Sequence, residues 1–138
     1  LNRLRPGALE GRTLKDALEK MIREYQTLSN LQVDLHYEWV DVDMDVMIED
    51  TIFRVIQESM TNAVRHGHAS QMSLHFFENE EDYLIELQDN GVGFETLTYG
   101  YGLKQMMERI SILGGQIQFE SRDGFFTRVS LPKYKEGR

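Results

Sequence analysis

Apolar residues return at helical spacing in three stretches of this chain and at alternate positions in about five others. Leu14, Ala17, Leu18, Met21, Ile22, Tyr25 and Leu28 recur every three or four residues, the repeat of an amphipathic helix. Thr13 stands three residues before Asp16 in the arrangement of a capping box, and Ser29-Asn30 closes the segment. Over 31–40, Leu31, Val33, Leu35, Tyr37 and Trp39 share one parity, which predicts a half-buried strand. Asp41, Asp43 and Asp45 then place negative charge where a second helix begins, at the favourable end of its dipole. That helix is expected over 44–66, with Gly67 as its C-terminal cap.

Residues 71–78 and 82–88 read as strands joined by the polar turn Glu78-Asn79-Glu80-Glu81, a hairpin with a longer loop. A glycine-bearing loop spans 90–101, and a third helix over 102–113 is stopped by Gly114-Gly115. A last pair, 116–121 and 125–131, turns at Arg122-Asp123-Gly124, where Asp-Gly is a strong hairpin signal. Pro132 ends the final strand. Three helices with mostly antiparallel hairpins predict an α+β two-layer sandwich, its helices covering one face of the sheet. The opening, 1–11, holds Pro6, Gly7 and Gly11 and reads as a linker or irregular lead-in.

Composition narrows the chemistry. At 138 residues the chain fits one domain. A net charge of −8 weighs against nucleic acid, which needs basic groups to displace counterions. A nucleotide differs, because backbone N–H groups, Mg²⁺ and one or two local cations can hold its few phosphates. The absence of cysteine removes disulfides and thiolate metal sites. No apolar run approaches the roughly 20 residues needed to span a bilayer, and no signal peptide is present. The start at Leu1 rather than Met is expected of a piece cut from a longer polypeptide.

Three features carry candidate chemistry. Glu58 and Asn62 are four apart on the second helix and project from one side, just beyond a border of its apolar face. A carboxylate and an amide there can support an oxygen-coordinated cation such as Mg²⁺, which keeps several of its waters. Taken alone, the pair reads as a solvated helix edge. Asp89 continues the parity of Tyr83, Ile85 and Leu87, so it faces inward at a strand end, where an ionised carboxylate needs donors. An adenine amino group would be one donor; an Asp-Asn-Gly turn is the plainer account. Gly91 and Gly93 follow, and Gly100 and Gly102 flank Tyr101 at the start of a helix whose free N–H groups suit phosphate. The spacing is neither that of a P-loop nor that of a dinucleotide-binding fingerprint.

Together these runs resemble a known family. Gln57-Glu58-Ser59-Met60-Thr61-Asn62-Ala63-Val64-Arg65-His66 is similar to the N box of sensor histidine kinases, members of the GHKL ATPase superfamily. Asp89-Asn90-Gly91-Val92-Gly93-Phe94 resembles their first glycine box, and Gly100-Tyr101-Gly102-Leu103 the second. Leu4-Arg5-Pro6, Glu108-Arg109, Gly114-Gly115 and Thr127-Arg128-Val129-Ser130-Leu131-Pro132 resemble the subfamily that partners helix-turn-helix response regulators. The likeness covers nearly the whole chain.

The resemblance implies a Bergerat-type ATP-binding fold, with a mixed, mainly antiparallel sheet and ATP and Mg²⁺ as cofactors. Asn62 would coordinate Mg²⁺, and Glu58 would position a Mg-bound water or assist transfer. Asp89 would accept from the adenine amino group, Gly91 and Gly93 would turn around the base, and Gly100, Gly102 and Leu103 would offer N–H groups to the phosphates. Arg65 and His66 would reach those phosphates, and Thr127 would sit near the adenine. Residues 1–12 would link to an upstream helical dimerisation domain, 13–134 would form the catalytic domain, and 135–138 a tail. The phosphoryl group would pass to a histidine on that dimerisation domain and then to a response-regulator aspartate. None of His36, His66, His68 and His75 begins the acceptor motif, so the chain reads as the catalytic half alone.

The whole protein is expected to be a homodimer and membrane-anchored, with this domain in the cytoplasm and no direct contact with nucleic acid. Gln105 and Phe126 depart from the family pattern by standing where relatives often have glycine, and the lid between Phe94 and Gly100 is short. Tyr99 and Tyr101 are candidates to cover the nucleotide or simply to pack the lid. The Met106-Met107 stretch, with Ile110, Ile112 and Leu113, reads as core and interdomain contact. Rival readings are another ATPase of the superfamily, an anti-sigma-factor serine kinase, and a nucleotide-binding module that has lost catalysis. The short lid and the Leu-Arg-Pro entry argue against the first two; the retained Glu58, Asn62 and Asp89 argue against the third.

Overall fold

The elements run α1 (Leu14–Leu28), β1 (Gln32–Tyr37), α2 (Val46–Arg65), β2 (Gln71–Glu78), β3 (Asp82–Asp89), α3 (Tyr101–Ile112), β4 (Gln116–Ser121) and β5 (Phe125–Pro132). The structure is a computed structural model and describes residues 7–40, 44–97 and 100–133. Thr13 caps α1 by accepting from the Asp16 N–H at 3.1 Å, and Asp45 caps α2 by accepting from the Met47 N–H at 2.7 Å. Each side chain satisfies a backbone donor that the helix cannot. Asp41 and Asp43 lie outside the described residues.

The five strands form one sheet in the order β1-β2-β3-β5-β4. β1 lies parallel to β2, and the other three pairings are antiparallel. Register stacks the alternating apolar positions of all five strands onto one face. Val33 pairs with Met72, Leu74 with Leu87, Ile85 with Val129, and Val129 with Ile117. That face meets Leu14, Leu18 and Ile22 of α1, Ile52, Ile56 and Met60 of α2, and Met106 and Ile110 of α3 in a single core. The expected two-layer sandwich, with three helices on one side of a mixed sheet, is what forms. The opposite face is largely polar, with an Arg128–Glu86 ion pair at 2.8 Å. Phe126 is buried there under the guanidinium of Arg122, 3.8 Å from its ring centroid.

Four local expectations change. β1 ends at Tyr37, although its parity continues inward through buried Trp39, whose indole N–H donates to the Phe77 carbonyl. The left-handed residue after α2 is His68, with φ 51°, and Gly67 instead sends its N–H to the Asn62 carbonyl at 2.9 Å. Leu9, in the expected lead-in, is fully buried in the core. The Met106-Met107 stretch divides: Met106 and Ile110 are core, whereas Met107 and Ile112 are exposed.

Candidate functional site

Glu58 and Asn62 stand half-buried on α2, at the border where its apolar face meets solvent. They open onto a cavity of about 470 Å³ between α2, the sheet, the segment 93–97 and the start of α3. Cavities of roughly 300–1,000 Å³ suit small ligands. Asp89 lies on its inner wall, 5% exposed at the end of β3, with Thr127 of β5 3% exposed close by in the sheet. Met72, Leu87, Phe94, Leu97 and Met106 line the rest of that wall with apolar surface, as a flat aromatic base requires.

Asp89 makes the turn that its sequence context offers. Its Oδ1 accepts from the Gly91 N–H at 2.8 Å, making the turn, and from the Phe125 N–H at 2.9 Å, tying the β4–β5 hairpin to the site. One oxygen, Oδ1, takes both donors. Glycines make these approaches possible. A Cβ on Gly91 would come within 2.9 Å of the Gly67 Cα, and one on Gly124 within 2.9 Å of Asp89 Oδ1. Gly93 adopts φ +65°, a conformation that side chains rarely take.

Gly100 is the N-cap of α3 and offers no side-chain cap. The N–H groups of the first turn therefore retain hydrogen-bonding capacity at the positive end of the helix dipole. Gly100, Gly102 and Leu103 all line the cavity there, beside the Glu58–Asn62 border, and free N–H groups at a helix start favour negative charge. Gly102 packs against the Glu58 carboxylate itself, and a Cβ there would meet Oε2 at 2.8 Å. Asp50 bonds Arg54 at 3.1 Å and Arg109 at 3.7 Å, linking α2 to α3 behind this junction.

The structure thus brings Glu58, Asn62, His66, Asp89, Gly93, Gly100, Gly102, Leu103 and Thr127 to one cavity. Two expected wall residues are not there. Arg65, the last residue of α2, is exposed and does not line the cavity, whereas His66, the cap that follows it, does. Gly91 supports the loop by packing on Gly67, behind the wall and not in it. Thr98 and Tyr99 lie outside the described residues. His36, His68 and His75 are away from the cavity. Sequence reasoning missed Gly124 and Phe125, whose only signal was the Asp-Gly turn, and Ser59, a wall residue hidden between Glu58 and Met60.

These parts define a two-layer α/β domain whose ligand-sized cavity and glycine-bearing loop follow the sheet's central hairpin and not its first strand. Residues 47–135 match the family described as histidine kinase-, DNA gyrase B-, and HSP90-like ATPase, and the chain belongs to that family. It is similar to the signal transduction histidine-protein kinase/phosphatase UhpB of Salmonella typhimurium, at 34% identity over 96% of this chain and 27% of that protein. The sensor histidine kinase LiaS of Bacillus subtilis is 31% identical over 93% of this chain and 36% of its own length. The chain therefore spans about a quarter to a third of these curated relatives.

Among solved structures, the histidine kinase domain from the Erythrobacter litoralis EL346 blue-light activated histidine kinase aligns with a TM-score of 0.76 at 16% identity, covering 95% of this chain and 66% of that one. The Acinetobacter baumannii histidine kinase AdeS gives 0.75 at 19%, covering 88% and 64%. These likenesses establish the fold. No helix among the described residues is long and apolar enough to cross a membrane.

Proposed function

We propose that this domain binds Mg-ATP and supplies its γ-phosphoryl group to a histidine on a separate dimerisation domain of the same protein, for relay to a response-regulator aspartate. One observation carries the reading. A single cavity joins an inward carboxylate, Asp89, to an uncapped helix N-terminus and to the Glu58–Asn62 border. Base recognition, a phosphate seat and cation ligands are what ATP binding needs, in that order along the cavity.

The residues divide the work by chemistry. Asp89 Oδ2 accepts from the adenine amino group, and Thr127 offers a hydroxyl to the same edge. The α3 N–H groups and His66 receive phosphate oxygens. Asn62 offers an amide oxygen and Glu58 a carboxylate that acts through a bound water; this hard-oxygen pair fits Mg²⁺, which takes few protein ligands and keeps several waters. When bound, the cation would supply charge neutralisation at the phosphates, and the part of these residues is positioning. Gly102 allows the α3 backbone to lie against Glu58, so carboxylate and phosphate seat are held at one place.

The similarity to a signal-transduction histidine kinase and a sensor histidine kinase supports a response regulator as partner; the wider reading, resting on the motif resemblance, is a regulator of the helix-turn-helix transcription-factor type and a membrane-anchored homodimer with this domain in the cytoplasm. Calorimetry with a non-hydrolysable ATP analogue and Mg²⁺ tests the core of it. Micromolar binding that needs Mg²⁺ and is lost in Asn62→Ala is expected; no binding by the intact domain would overturn the reading. Transfer to a supplied dimerisation domain should be weak, because tethering is missing.

A further inference from the structure

Three buried polar side chains line the inner cavity: Asp89, Thr127 and Ser59, at 5%, 3% and 8% exposed. Asp89 is accounted for by the turn and by the ligand it awaits. Ser59 is not. Its Oγ is buried and has no hydrogen-bond partner, the only such side-chain atom among the described residues. A helical serine ordinarily relieves this by bonding to the carbonyl four residues back, here that of Val55, and Ser59 does not. Leaving a buried hydroxyl unsatisfied forfeits its hydration with nothing in return, and such orphans in native proteins call for a reason.

Its position supplies one. Ser59 follows Glu58 directly on α2, and a step of about 100° turns it from the border toward the sheet. Glu58 and Asn62 thus face the phosphate end of the proposed site, and Ser59 is turned toward the inner, base end of the cavity that Met72 and Leu87 also line. An ionised carboxylate can only accept, so Asp89 can take the amino group of adenine but can give nothing to the ring nitrogens on either side of it. Those nitrogens, N1 and N7, are acceptors and need a donor. A serine hydroxyl is one, and rotation about χ1 between staggered wells lets it turn to a ligand.

We propose that Ser59 is a base-recognition residue, its hydroxyl donating to a purine ring nitrogen adjacent to the amino group held by Asp89, directly or through one water shared with Thr127. The proposal rests on ATP as the ligand. It makes the orphaned hydroxyl a reserve donor that adenine satisfies. An analogue lacking that nitrogen leaves the donor unpaired and is rejected.

Calorimetry with Mg²⁺ and ADP, 1-deaza-ADP or 7-deaza-ADP, on the wild-type domain and Ser59→Ala, tests it. Ser59→Ala should bind ADP about 5- to 30-fold more weakly, while its ligand-free melting temperature stays level or rises. One deaza analogue should bind the wild type more weakly than ADP by a similar factor, yet bind Ser59→Ala as well as ADP does. If the alanine variant melts early, Ser59→Cys keeps the volume with a weaker donor and is read by the same comparison. Unchanged ADP affinity, or equal losses for all three ligands, would overturn the assignment and leave ATP binding intact. No binding of ADP by the wild type would overturn both.

Discussion

Gly102, in the first turn of α3, lies so close to the Glu58 carboxylate of α2 that no side chain fits between them. The obstructing group is the tip of a flexible side chain, so Gly102→Ala should fold. Alanine is better than glycine inside a helix by about 1 kcal/mol, and the melting temperature should hold or rise. Glu58 must swing aside, however, and a misplacement of about 1 Å at a reacting centre can cost on the order of 100-fold in rate. Phosphoryl transfer by the full-length protein, followed with labelled ATP, should fall about 10- to 100-fold while nucleotide affinity changes little. Glu58→Gln combined with Gly102→Ala should be no slower than Glu58→Gln alone; additive losses would show that the glycine acts elsewhere.

Asp89→Asn separates the structural from the binding role of that residue. The amide oxygen can still accept from the N–H groups of Gly91 and Phe125, while the second position becomes a donor and repels an amino group. The variant should keep most of its stability and lose ATP affinity about 10-fold or more. Asp89→Ala should instead lose about 3 kcal/mol of stability, because two backbone donors lose a charged acceptor. Equal melting temperatures for the two variants would contradict the hydrogen-bond assignment.

Much of this site was legible in the chain because it depends on local periods. Parity through Tyr83, Ile85 and Leu87 places Asp89 on the inner face, and four-residue spacing sets Glu58 and Asn62 on one border. What the sequence could not show depends on register between distant segments. Phe125 reaches Asp89 across 36 residues through the pairing of β3 with β5. Gly102 meets Glu58 only because α3 packs on α2. Arg65 shares the motif but not the cavity. Neither Ser59 nor Leu9 belongs to a pattern that periodicity or turn chemistry would single out.

The acid limb of stability should carry a signature of Glu78. A hydrogen bond from Lys133 at 2.6 Å holds its carboxyl below the ordinary value, against a smaller opposing effect of burial; the Val40 N–H and the lysine charge lower it further. A lowered folded pKa adds stability that is complete above the unfolded value, near 4.3, and is lost as pH falls through the folded one. Lys133→Met should therefore cost under about 1 kcal/mol at pH 7. The difference from wild type in urea unfolding should close as pH drops toward 3. A gap that persisted would assign the cost to packing of the lysine stem over Tyr83, 5.4 Å from its ammonium group.

Leu9 decides where the folded unit begins. Pro6, Gly7 and Gly11 mark residues 1–11 as irregular, yet the Leu9 side chain is fully buried and belongs to the same core as Leu14, Leu18 and Trp39. Irregular backbone and a core side chain are compatible, because the segment is held by turns, with Glu10 N–H to Gly7 O at 3.3 Å and Arg12 N–H to Leu9 O at 3.1 Å. Truncating a buried leucine costs about 2–5 kcal/mol, so Leu9→Ala should lower the urea midpoint without altering the slope. Ala8→Ser, at an exposed neighbour, should change stability by less than about 0.5 kcal/mol. A domain cut to begin at Thr13 should lose at least as much stability as Leu9→Ala. If both the variant and the shortened domain unfold like the wild type, residues 7–12 are only a tether, and the fold starts at α1.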